Sequence, residues 1–99
     1  MISVVMPYWQ RRAVLSENLA RYRDLYAGLA MEIVIVDDGS PEPPQIGEYP
    51  WPVSVLHLPR KDTAKNPCSV LNAGVAASRG EHIVLTNPEV FHRAPILDA

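Results

Sequence analysis

Apolar residues gather in four short runs, Ile2–Met6, Ile33–Val36, Val53–Leu58 and His82–Leu85, separated by longer stretches of mixed character. The first, second and fourth runs predict strands buried in a sheet, and the third reads as a further strand. The first run is expected to end at Pro7, because proline cannot donate to a central ladder. Between the first two runs, Val14, Leu15, Leu19, Tyr22, Leu25, Tyr26 and Leu29 fall at helical spacing with charged residues among them. That pattern predicts an amphipathic helix over Arg12–Ala27, with Gly28 near its end.

After the second run, residues 41–52 hold five prolines (Pro41, Pro43, Pro44, Pro50 and Pro52), which predict a loop in place of a helix. Asn66-Pro67 reads as an N-cap with proline in the first turn. Val70, Leu71, Val75 and Ala76 are expected to face inward from a helix that ends near Gly80. Pro95-Ile96-Leu97-Asp98-Ala99 reads as the first turn of another helix. Every gap between strands is long enough for a parallel crossover, so the predicted class is α/β with a Rossmann-like parallel sheet. Residues 1–99 read as a single domain, without an internal repeat or a low-complexity segment.

Composition narrows the partners. Nine basic and eleven acidic residues give a formal charge of −2 with no basic stripe, which excludes a nucleic-acid polymer as the expected partner. No apolar run approaches the length of a membrane span, and the N-terminus lacks the basic region of a secretory signal. Cys68 is the single cysteine and cannot form an internal disulfide, so a reducing, cytoplasmic setting is expected.

In open parallel sheets, ligands bind beyond the carboxyl ends of the strands. The residues just after each predicted strand are therefore the candidates: Pro7-Tyr8-Trp9, Asp37-Asp38-Gly39-Ser40, Arg60-Lys61-Asp62 and Asn87-Pro88-Glu89. Adjacent carboxylates repel, and hydrogen-bond donors or a cation offset that repulsion. Asp37 and Asp38 suit a pyrimidine N–H or a ribose hydroxyl, although Asp-Asp-Gly-Ser by itself fits a solvated Asx turn equally well. Lys61, with Arg60 and Lys65, suits phosphates, although a solvated loop is the better default reading of these cations. Glu89 suits a hard divalent cation, which prefers oxygen ligands, although taken alone it fits an exposed turn acid better. His57, His82 and His92 share no metal-ligand spacing and read as structural or solvated.

Together these segments resemble a known family. Ser3-Val4-Val5-Met6-Pro7-Tyr8-Trp9-Gln10-Arg11 is similar to the opening strand and turn of family 2 glycosyltransferases, and Glu32-Ile33-Val34-Ile35-Val36-Asp37-Asp38-Gly39-Ser40 to their E-I-V-I-V-D-D-G-S element. The stretch from Leu71 to Leu85, with Asn72, Gly74, Gly80 and Glu81, resembles their N-x-G-[IV]-x-x-A-x-G-E segment. Asn87-Pro88-Glu89-Val90 stands where members carry a D-x-D triplet, or N-P-D-V in a rhamnosyltransferase-like subset.

The resemblance implies the N-terminal half of a GT-A fold and a UDP- or dTDP-sugar donor. It implies nucleotide binding by Pro7, Tyr8, Asp37, Asp38, Lys61 and Asn72, and Mg²⁺ or Mn²⁺ binding by Glu89 and Asn87. A saccharide or lipid-linked acceptor would meet the later half of the family's fold, which this chain is expected to lack. Gln10 departs from the family's asparagine, the proline-rich loop replaces a helix, and Asn87 replaces an acid. The competing expectations are a nucleotide-binding module without turnover and a half-fold that pairs its open sheet edge, as in a homodimer.

Overall fold

The computed structural model describes residues 1–8, 12–37, 39, 44, 46–58, 67–86 and 97. Six elements follow in the order β1 (Ile2–Tyr8), α1 (Arg12–Tyr26), β2 (Met31–Asp37), β3 (Val53–His57), α2 (Pro67–Ala77) and β4 (His82–Leu85). All strand pairings are parallel, and the sheet runs β3-β2-β1-β4. The α/β class and the parallel sheet agree with the expectation from sequence, as does the absence of a helix between β2 and β3 among the described residues.

Side-chain alternation along β1 and β2 divides the core in two. Val4, Met6 and Tyr8 of β1 and Met31, Ile33 and Ile35 of β2 face α1, where Leu15, Leu19, Tyr22 and Tyr26 meet them. Val5, Val34 and Val36 form the opposite face, on which Gly74 of α2 is buried. β2 is buried along its whole length, as the sequence predicts for a strand covered on both sides. Trp51 closes the α1 side: its indole Nε1–H donates to the Tyr26 carbonyl at 3.0 Å, satisfying an acceptor at the end of α1. Tyr49 stacks on Trp51, with ring centroids 5.5 Å apart.

Three expectations are corrected. β1 does not stop at Pro7 but continues through Tyr8. Ile2 N–H donates toward β2, to the Ala30 carbonyl, whereas the Val5 carbonyl accepts from Thr86 after β4. By alternation the Pro7 nitrogen points to the β4 side, where the ladder has already ended at Val5–Leu85. Proline is therefore tolerated in a central strand, because no ladder bond is lost.

On α2, the side chains of Val70 and Leu71 lie outside the described ones; of the expected inward residues Val75 is half-buried and Ala76 is exposed, while Gly74 is buried. A Cβ at Gly74 would collide with Val5 Cγ1 and lie 2.8 Å from Val36 Cγ2, so the missing side chain lets the helix close on the sheet. Finally, β4 is a sheet edge and not a buried strand. Ile83 is 41% and Leu85 52% exposed.

Candidate functional site

The sheet changes direction between β1 and β4. From β1 the chain moves through β2 to β3, and then returns to place β4 on the other flank. In open α/β sheets, the crevice at the carboxyl ends beside such a switch point is the usual ligand site. Tyr8 ends β1 and Asp37 ends β2, and the two stand in register. His57 ends β3 and stands in register with Asp37. The carboxyl edge thus finishes in a rung of three residues, Tyr8, Asp37 and His57, across three strands.

Asp37 is buried within this rung. His57 Nδ1 lies 3.1 Å from Asp37 Oδ2, with the histidine side chain 61% exposed and the aspartate side chain 3% exposed. A carboxylate only accepts, so the imidazole donates. Leu58 N–H donates to the Asp37 carbonyl at 2.8 Å and holds the two strand ends together. Immediately beyond, Gly39 has φ of 71°, the left-handed region that glycine occupies without strain. Gly39 thus takes a backbone conformation suited to a turn.

Of the residues proposed from sequence, Tyr8 and Asp37 are brought together, with the half-buried Pro7 beside them. Asn72 is exposed on α2, near the Gly74 contact, and is not part of the rung. Asp38, Lys61, Asn87 and Glu89 lie outside the described residues. Among the described residues no group of three or more His, Cys, Asp or Glu is placed to hold a metal ion. Also among them, no helix is long and apolar enough to cross a membrane. From sequence His57 reads as structural or solvated, since it shares no metal-ligand spacing with His82 or His92, and its partner Asp37 is twenty residues away. Only the register of two predicted parallel strands could have revealed it.

A second polar cluster sits at the amino edge. Glu32 is buried on β2 and accepts from Ser3 Oγ at 2.6 Å, from Arg79 N–H at 2.6 Å and from Arg79 Nε at 3.3 Å. Ser3 Oγ in turn accepts from Gly80 N–H at 2.7 Å. Burial pushes the Glu32 pKa upward, but the bonds from Ser3 and Arg79 outweigh it and hold the carboxyl below its ordinary value. A Cβ at Gly80 would lie 2.5 Å from Ser3 Oγ and 2.8 Å from both Met1 O and Ser3 N, which explains the glycine. Ser3, Glu32, Arg79 and Gly80 all fall in the segments that carry the family resemblance, yet here they fasten α2 and β4 to the sheet.

The chain is thus an α/β protein with a parallel Rossmann-like sheet, whose carboxyl edge beside the switch point ends in polar residues where ligands of open α/β sheets usually bind. The sequence model described as "Glycosyl transferase family 2" matches residues 3–92, and the chain belongs to that family. It is 29% identical over 100 aligned positions to a protein of Pyrococcus furiosus described as dolichol-phosphate mannosyltransferase, covering 97% of this chain and 28% of that relative. The fold matches the crystal structure of S. aureus TarS 1-349 with a TM-score of 0.73 at 17% identity, over 98% of this chain and 30% of that one. The architecture is accordingly the GT-A type of α/β sheet. The chain spans less than a third of the length of both proteins.

Proposed function

We propose that this chain supplies the donor-nucleotide site of a glycosyltransferase that moves a sugar from a UDP- or dTDP-sugar to a saccharide or lipid-linked acceptor. The observation that carries the reading is the rung of Tyr8 and Asp37 at the carboxyl edge, next to the switch between β1 and β4. In this reading Pro7 and Tyr8 border the base, while Asp37 and Asp38 accept from the pyrimidine ring and the ribose. Lys61 meets phosphate, and Asn72 lies at the margin on α2.

Glu89 and Asn87 supply oxygen ligands for Mg²⁺ or Mn²⁺ at the diphosphate. Support for that placement is local: Thr86, just before them, still follows the ladder and donates to the Val5 carbonyl at 3.0 Å. Oxygen donors suit either ion, and one strong carboxylate besides the substrate's phosphates suits Mg²⁺. When bound, the metal neutralises charge on the leaving diphosphate. The sequence Asn87-Pro88-Glu89-Val90 favours a rhamnosyltransferase-like donor, and hence dTDP, within this scheme.

The test is a calorimetric titration of the chain with UDP and dTDP, with and without Mn²⁺. Saturable binding strengthened by the ion is expected. No binding of either nucleotide would overturn the reading. A second reading, an interface through the β4 edge, is favoured by the exposure of Ile83 and Leu85. Sedimentation of the chain as a dimer would support it, and a monomer at all concentrations would refute it.

A further inference from the structure

We propose that His57 is a positioning residue of the donor-nucleotide site, acting through Asp37, an inference that rests on the donor-site reading above. Asp37 closes β2 with a carboxylate almost out of reach of solvent, and His57 stands opposite it in register on β3. The Nδ1–H···Oδ2 bond of 3.1 Å fixes the rotation of the carboxylate about its last torsion. It also sets the tautomer of the neutral ring, with the proton on Nδ1 and the lone pair on Nε2. The Leu58 N–H to Asp37 carbonyl bond keeps the two strand ends from sliding past one another.

The asymmetry of burial separates this role from simple cross-strand support. With the ring 61% exposed, the pair is a partly solvated one, and such pairs add little to folding stability. Their geometric effect survives, because the orientation of the acceptor is set before a ligand arrives, which lowers the ordering needed on binding. Loss of His57 should therefore be felt in nucleotide affinity far more than in unfolding.

The experiment titrates UDP and dTDP into the full 99-residue chain and into His57→Leu, His57→Asn, Asp37→Asn and the double variant His57→Leu/Asp37→Asn, with a thermal melt of each. His57→Leu is expected to weaken binding about tenfold, equivalent to about 1.4 kcal/mol, with little change in melting temperature. His57→Asn keeps an N–H near the Nδ1 position and is expected to restore affinity to within about twofold, well inside what one charged hydrogen bond contributes. In the Asp37→Asn background, His57→Leu should have no further effect, because the two act as one unit. Proton–nitrogen correlation spectra of the unaltered chain should show His57 protonated on Nδ1.

Full affinity in folded His57→Leu, additive losses in the double variant, or an Nε2-protonated His57 would each overturn the positioning role alone. Failure of the unaltered chain to bind either nucleotide would overturn the donor-site reading and this role together. In that event an Nδ1 proton on His57 would mark a cross-strand tie and nothing more.

Discussion

The buried carboxylate of Glu32 accepts the backbone N–H of Arg79 at 2.6 Å, joining positions 47 residues apart. Glu32 is the second residue of β2, and Arg79 lies between α2 and β4. The bond therefore fastens the return from α2 to the amino edge of the sheet, opposite the edge that Asp37 closes. Ser3 completes the fastening by donating to Glu32 and accepting from Gly80. Fixing one end of α2 and β4 in this way determines where their other ends arrive at the carboxyl edge.

Glu32→Ala is expected to destabilise the fold by about 3 kcal/mol, since hydrogen bonds to a charged, buried acceptor contribute roughly 1.5–3 kcal/mol each. The Arg79 side chain, 70% exposed, adds little to that figure. Glu32→Gln keeps an acceptor oxygen and should lose about half as much. Urea unfolding followed by circular dichroism measures both. A stability for Glu32→Ala within error of the unaltered chain would show that the cluster carries no load.

The same cluster dictates an acid dependence. The Glu32 pKa is lowered in the fold from an ordinary 4.5: burial opposes the shift, and the bonds from Ser3 and Arg79 outweigh it. A depressed carboxyl pKa means that the unfolded chain takes up the proton first as pH falls. The stabilisation is complete above the ordinary glutamate value and disappears as pH drops through the lowered one. Melting temperatures taken from neutral pH into the acid range should fall for the unaltered chain. Glu32→Gln should lose its own part of that fall, and superimposable acid limbs would contradict the assignment.

Much of this fold was legible because fully covered strands leave unbroken β-branched runs. The β4 run, His82–Leu85, was placed to the residue, and α1 to within one. What escaped depended on partners in space. Pro7 signals a strand end unless one knows that β4 stops short of it. Ala76 looks like part of the inward face of α2 but is exposed, whereas Gly74 is buried close to Val5 and Val36, and its lack of a side chain hides it from a hydrophobic pattern. At the site, Tyr8 and Asp37 could be proposed from their positions after strands. The Asp37–His57 pair could not, since it is set by register between β2 and β3.

Gly74→Ala tests that contact. An added methyl would meet Val5 Cγ1 and Val36 Cγ2, both on buried β-branched side chains with little freedom to turn away. Overpacking of this kind destabilises by about 1–3 kcal/mol, against a gain of roughly 1 kcal/mol from replacing glycine in a helix. A net loss of up to about 2 kcal/mol in urea unfolding is expected from that difference. In a Val5→Ala background the loss should shrink or reverse, because the space is returned. Equal losses in the two backgrounds would mean that the helix moves off the sheet instead of pressing on Val5.

Asp38→Ala and Glu89→Ala together test the division between nucleotide and metal. If Asp38 accepts from the base or ribose, its loss weakens UDP and dTDP binding whether or not Mn²⁺ is present. The energy of one charged hydrogen bond, roughly 1.5–3 kcal/mol, corresponds to a drop of about ten- to a hundredfold. If Glu89 acts only through the ion, its loss leaves metal-free binding intact and abolishes the strengthening that Mn²⁺ brings. The two variants should therefore show opposite signatures in the four titrations of nucleotide and ion. A shared signature, with both variants losing metal-free affinity alike, would place Glu89 on the nucleotide itself. Retention of the full Mn²⁺ effect in Glu89→Ala would remove it from the metal site, and the search for oxygen ligands would pass to other residues at the carboxyl edge.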